Sequence, residues 1–226
     1  MKTKARTTKP AKRILIVDDH PMMRQGLAQL IAAERDLVVC CEADTARQAF
    51  ERISRDKPDL ALVDISLPDK SGLELIKDVR AIHPDLPVLV VSMHDESLYA
   101  ERVLRAGGRG YVMKQEGGKV LMQAIRQVLA GQIYVSDKMS ARILEVFSGG
   151  HRESGAARLG RLTDREFEVF QLIGHGRSTR EIAEHLHLSV KTVEVHRANI
   201  KKKLRIKTAT DLVRYAVRAA ELESRE

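Results

Sequence analysis

Short apolar runs alternate with longer amphipathic stretches from Arg13 to about residue 130. The runs are Ile14 to Val17, Leu37 to Cys41, Leu60 to Val63, Val88 to Val91 and a weaker Gly110 to Met113. Their brevity and β-branched content predict buried strands. Residues 21–33, 45–55, 72–82, 97–105 and 117–130 carry a helical pattern between and after them. Five strands alternating with five helices predict an α/β domain, a parallel sheet covered on both faces.

Past Gly131 the alternation degrades into a stretch marked by Gly149, Gly150, His151 and Gly155, the composition of a flexible connection. Thr163-x-x-Glu166 and Ser178-x-x-Glu181 then each fit a capping box, followed by helical periodicity through Phe167, Phe170 and Ile173 and through Ile182 and Leu186. No strand signal follows residue 160. This last part therefore predicts an all-α bundle of about four helices, 164–174, 179–186, 190–204 and 208–221. The expected division is a disordered basic leader over 1–12, an α/β domain over 13–131, a linker over 132–160 and a helical domain over 161–226.

Composition narrows the class. The longest apolar run, Leu86 to Met93, falls well short of the ~20 residues that span a bilayer. The basic N-terminus leads directly into Ile14 to Val17, too short for a signal-peptide core, so a cytoplasmic protein is expected. Cys40 and Cys41 stand side by side, unable to staple distant segments and without metal-ligand spacing, and read as small buried residues of a strand. His175, His185 and His187 lack a third ligand at zinc spacing and read as surface or phosphate-contacting groups. The formal net charge of +8 divides into +6 over residues 1–13, −3 over 14–135 and +5 over 136–226. A polyanion partner is expected at the basic C-terminal third, and the acidic middle implies other chemistry. The leader could add non-specific DNA affinity.

Side chains just past the carboxyl ends of parallel strands converge on one crevice. Here the first strand ends in Asp18-Asp19, the third in Asp64, the fourth in Ser92 and the fifth in Lys114. Two carboxylates ~4 Å apart at an effective dielectric of ~20 repel by about 4 kcal/mol, so three together call for a cation. Oxygen ligands with room for water and a phosphate oxygen suit Mg²⁺. That constellation allows phosphoryl transfer to Asp64, with Lys114 and the metal neutralising charge on the transferred group. No phosphate-binding loop follows the first strand, and Gly107-Gly108-Arg109-Gly110 precedes a strand where a dinucleotide fingerprint would follow one.

The stretch 190–204 offers a second site. Taken as a helix, it turns Val190, Val193, Arg197, Ile200 and Leu204 to one side, an apolar stripe apart from Arg197. Lys191, Val195, Ala198 and Lys202 turn to the other, flanked by Glu194 and Asn199. Lysines that reach phosphates or guanine, with methyls between them that meet thymine, fit a DNA major groove. Thr192, His196 and Lys201 are counted with this DNA-binding set, and a short capped helix precedes it.

VDDHPMMRQGL, LVDISLPDKSGLEL, VSMHD and GYVMK together resemble the receiver domain of bacterial two-component response regulators, over residues 13 to about 130. The resemblance implies a flavodoxin-like, doubly wound sheet with Asp64 as phosphoacceptor. It also implies Asp18, Asp19, Asp64 and the backbone carbonyl of Ser66 as metal ligands, and Ser92, Tyr111 and Lys114 as the groups that answer phosphorylation. Residues 162–217 resemble the LuxR-type helix-turn-helix, and the pair is similar to the NarL/FixJ class. That class implies a transcription factor switched by a sensor histidine kinase, dimerising on phosphorylation and binding an operator. Leu67 and Asp164 depart from the family's frequent methionine and proline, and Glu194 is acidic where the family is often basic, which leaves the operator open. Two rival readings are a Mg²⁺-dependent phosphohydrolase that turns over an Asp64 ester, and a DNA-binding protein with a silent receiver. Asp64-Ile65-Ser66 lacks the second carboxylate the first would need, and the full set of site residues opposes the second.

Overall fold

The computed structural model describes residues 10–147, 159–186 and 188–223. Most of the basic leader, the glycine-marked stretch over 148–158 and His187 lie outside the described residues. The chain forms two compact units, the first ending at Ser136 and the second beginning at Asp137, with Ser97–Arg102 grouping with the second.

In the first unit β1 (Lys12–Val17), β2 (Leu37–Ala43), β3 (Leu60–Val63), β4 (Val88–Ser92) and β5 (Gly110–Met113) form one parallel sheet in the order β2-β1-β3-β4-β5. The helices between and after them are α1 (Pro21–Ala32), α2 (Ala46–Asp56), α3 (Gly72–Ile82), α4 (Glu96–Ala106) and α5 (Gly118–Leu129). All four residues of β3 are buried, as a central parallel strand requires. Ile14, Ile16, Leu60, Leu62, Leu89 and Val112 pack from the sheet against Leu27 and Ile31 of α1 and Leu121, Ile125 and Val128 of α5. The strand order reverses between β1 and β3, which opens a crevice beyond their carboxyl ends.

The expected linker over 132–160 is in part ordered chain. Gly131, at φ 83°, ends α5 in the left-handed region and returns the backbone to the sheet. There Tyr134 N–H donates to the Arg109 carbonyl, and Tyr111 N–H donates to the Tyr134 carbonyl. A Cβ on Gly110 would stand 2.6 Å from that Tyr134 oxygen, so the close approach requires glycine. A further helix, α6 (Asp137–Phe147), follows where no helix was expected, and it buries Met139.

In the second unit α7 (Asp164–Gly174), α8 (Thr179–His185), α9 (Val190–Leu204) and α10 (Ala209–Glu223) match the four predicted helices to within two residues at each end. Both predicted capping boxes form. Glu166 accepts from Thr163 N–H at 2.8 Å while Thr163 Oγ1 accepts from Glu166 N–H at 3.3 Å, and Ser178 and Glu181 do the same at 2.8 and 3.3 Å. Phe167, Phe170, Ile173, Ile182, Val193, Ile200, Leu212 and Ala216 form the core.

Candidate functional site

The first turn past β1 and the first turn past β3 meet at the sheet's reversal point. Asp18 and Asp64 are 1% and 4% exposed, and oxygens of Asp18, Asp19 and Asp64 lie with a His20 ring nitrogen within 4.8 Å of one another. His20 N–H donates to Asp18 Oδ1 at 2.9 Å, which holds the first carboxylate, and Arg24 donates to the Asp18 backbone carbonyl at 2.6 Å, which holds the turn that carries it. Asp19 Oδ1 is buried and accepts no hydrogen bond, and His20 Nδ1 lies 2.6 Å from it. Across the crevice, a Cβ on Gly72 would meet the Asp64 backbone oxygen at 2.3 Å, so glycine alone lets α3 start against the end of β3. Asp69 accepts from the backbone N–H groups of Ala46 and Arg47 at 2.8 and 3.0 Å, which ties the loop after Asp64 to the start of α2.

Lys114 closes the set from the end of β5. Its Nζ lies 2.6 Å from Asp18 Oδ2 and 2.6 Å from Asp64 Oδ2, with the side chain 3% exposed. Burial pulls its pKa down, but the charges and hydrogen bonds of Asp64 and Asp18 outweigh this and hold the ammonium above its ordinary value. Three carboxylates, of which Asp18 and Asp64 are buried and Asp19 is half-buried, against one ammonium leave about two negative charges, and with the unbonded Asp19 oxygen this suits a divalent cation with oxygen ligands. Parallel register sets Ser92 opposite Met113 on the same edge, fully buried, its Oγ accepting from His94 N–H at 3.5 Å. Tyr111 is 1% exposed and donates to the His94 carbonyl at 2.8 Å, and His94 Nε2 lies 2.9 Å from Ser66 Oγ.

On α9, Ser189 caps the first turn by accepting from Thr192 N–H at 3.0 Å, and Arg205, at φ 57°, ends the helix in the left-handed region. Val193, Ile200 and Leu204 are buried, while Lys191, Glu194, Val195, Ala198, Asn199 and Lys202 are exposed. Val195 keeps 53% of its surface in the open, where an apolar side chain has no folding role. Lys203 turns inward instead, its Nζ 2.6 Å from Glu166 Oε2.

Residues 14–126 match the response regulator receiver domain, and residues 160–216 match the bacterial regulatory proteins of the luxR family. The oxygen regulatory protein NreC of Staphylococcus carnosus is 33% identical over 210 residues, 91% of this chain and 97% of that protein. NreC of Staphylococcus aureus strain JH9 is 34% identical over 215 residues, 93% and 99% of the two chains. This chain belongs to the two-component response regulators. Its pairing of a receiver with a LuxR-type helix-turn-helix places it in the NarL/FixJ class, the DNA-binding transcriptional regulators. Among solved structures, a LuxR-family response regulator from Aurantimonas sp. SI85-9A1 is 33% identical with a TM-score of 0.57, covering 61% of this chain and 99% of that one. RcsB of Salmonella enterica serovar Typhimurium, bound to promoter rprA in the presence of the phosphomimetic BeF3-, is 25% identical with a TM-score of 0.67, covering 92% and 98%.

In this response regulator the carboxylates expected from the strand ends, Asp18, Asp19 and Asp64, stand together with Lys114, and Ser92 and Tyr111 share their edge. His20, His94 and Asp69 had no role in the sequence reading. His20 and His94 each stand two residues past a strand-end group already singled out, Asp18 and Ser92, and that spacing is the signal that finds them. Asp69 left no such signal, because its partners are backbone amides 22 and 23 residues away. On α9 the exposed face holds six of the nine residues expected to contact DNA. Thr192, His196 and Lys201 are half-buried, and Thr192 is engaged with the Ser189 cap at 2.8 Å. Val190, expected in the buried stripe, is 45% exposed because it opens the first turn, ahead of the core contacts of Val193.

Proposed function

We propose that this response regulator is switched by phosphorylation of Asp64. The observation that carries the reading is the ammonium of Lys114 held 2.6 Å from both Asp18 and Asp64 at the reversal point of the sheet. Asp18, Asp19, Asp64 and the Ser66 carbonyl would hold Mg²⁺, which neutralises phosphoryl oxygens and orients the donor when it is bound. The chain's own part is positional. Asp64 Oδ2 is presented at a buried edge, and Lys114 trades its contact with that oxygen for one with a phosphoryl oxygen, so that the added charge of roughly −1 stays paired. Ser92 releases the His94 amide and turns its hydroxyl toward the same group. Tyr111, whose hydroxyl holds the His94 carbonyl, repacks as that loop moves.

The donor is a sensor histidine kinase, and the compartment is the cytoplasm. Phosphorylation favours a homodimer that sets two copies of α9 on two operator half-sites, with Lys191, Glu194, Val195, Ala198, Asn199 and Lys202 in the groove and Thr192, His196 and Lys201 at its edge. A division into a leader over 1–12, receiver over 13–131, linker over 132–160 and DNA-binding domain over 161–226 serves this reading, with the ordered Tyr134 strap and α6 inside the linker. Substituting Asp64→Asn tests it. The variant is expected to take no label from acetyl phosphate and to leave a target promoter unresponsive under inducing conditions. Labelling at the wild-type rate would show that another residue accepts the phosphoryl group.

A further inference from the structure

Side chains of neighbouring strand residues point to opposite faces, so the Cys40 and Cys41 thiols should lie apart. Their sulfurs are instead 3.2 Å from each other. The cause is a bulge in β2. Ile14 pairs with Val39 and Leu15 pairs with Cys41, which leaves Cys40 without a partner on β1 and brings its side chain around to Cys41. Cys40 Sγ lies 3.5 Å from the Ile14 carbonyl, and β2 is an edge strand of the sheet. The two thiols differ in access. Cys41 is 8% exposed, and burial together with its Cys40 neighbour pushes its thiol far above the usual range, whereas Cys40 is half-buried. Neither belongs to the acidic edge or to α9.

We propose that Cys40 and Cys41 form a dithiol that a hydroperoxide oxidises reversibly to a vicinal disulfide. Cys40, the accessible thiol, attacks one peroxide oxygen. The O–O bond breaks, one water leaves, and Cys40 carries a sulfenic acid. The Cys41 sulfur, already in contact, then displaces the hydroxyl, which departs as a second water with the Cys41 proton. Two thiols and one hydrogen peroxide thus give one disulfide and two waters. The bond is a switch and not a staple. Consecutive Cα atoms are about 3.8 Å apart, below the usual ~4.4–6.8 Å of disulfides, so the product is strained and readily reduced by an external dithiol.

The full-length chain, purified reduced, is treated with a small molar excess of hydrogen peroxide and then alkylated with iodoacetamide in denaturant, so that burial does not hide Cys41. The peptide carrying both cysteines is expected to lose two hydrogens and take up no label, and dithiothreitol is expected to restore two labels. In Cys40→Ser, Cys41 is expected to stay reduced and fully alkylated after the same treatment. The proposal fails if Cys40 goes to sulfinic acid while Cys41 still labels, if a cross-linked dimer forms in place of the lighter peptide, or if both cysteines remain reduced.

Discussion

Lys114 carries two carboxylates on one ammonium, with all three side chains at or below 4% exposure. Coulombic attraction there is weakly screened, and so is the repulsion that would remain without it. Its raised pKa sets the sign of the pH dependence. The contribution is complete below the ordinary value of 10.5 and is lost only as pH rises through the higher folded value, so at neutral pH it is fully present. Lys114→Met should therefore cost about 3–5 kcal/mol at pH 7, because Asp18 and Asp64 are left buried and facing one another. Millimolar Mg²⁺ should restore part of that loss. Urea denaturation of both proteins with and without Mg²⁺ measures this, and a deficit that Mg²⁺ leaves unchanged would count against a metal held by these carboxylates.

At the scale of elements, the junction of α7 with α9 is set by Glu166. Its carboxylate closes the capping box with Thr163 and pairs with Lys203 from the last turn of α9, so one buried group both starts α7 and fixes the end of α9. Burial raises the Glu166 pKa, but the Lys203 and Thr163 hydrogen bonds win and hold it below the ordinary 4.5. Stability from this group is then complete above 4.5 and lost as pH falls through the lower folded value. Glu166→Gln is expected to destabilise the helical unit by about 1–3 kcal/mol at pH 7. The gap should narrow as pH falls from 4.5 through the lower folded value, where the wild-type carboxylate also takes up its proton. Thermal unfolding across pH tests this. The capping box itself was legible, since Thr163 and Glu166 declare it by spacing alone, and so were the strands, whose apolar runs are short and bounded. The Lys203 pairing was not, because a lysine in Lys201-Lys202-Lys203 gives no sign of which face it takes until α7 is packed against it. The β2 bulge escaped for the same reason. Leu37 to Cys41 reads as continuous strand, and only pairing with β1 shows that one residue is unmatched.

For the whole molecule, the division of charge into an acidic central region and a basic C-terminal third predicts two responses to salt in one chain. The side chains of Asp18, Asp64 and Lys114 are buried, and buried pairs are screened little by ions. The lysines of α9 that would meet phosphates, Lys191 and Lys202, are exposed, and binding there releases counterions. Raising salt from about 50 to about 200 mM should lower affinity for an operator by several orders of magnitude, in proportion to the number of phosphates contacted. Labelling of Asp64 by acetyl phosphate at saturating Mg²⁺ should change by less than about twofold, since the side chains of Asp18, Asp64 and Lys114 are buried and the remaining negative charge is met by the saturating divalent ion. Lys202→Ala should reduce the slope of log affinity against log salt by about 0.9, and Val195→Ala should leave that slope unchanged while altering preference among operators. Fluorescence anisotropy with a labelled duplex, run beside phosphoprotein detection on the same samples, separates the two. If labelling fell with salt as steeply as DNA binding, bulk ions would have to screen Asp18 and Asp64 as they screen an exposed lysine, contrary to the 1% and 4% exposure of those two carboxylates.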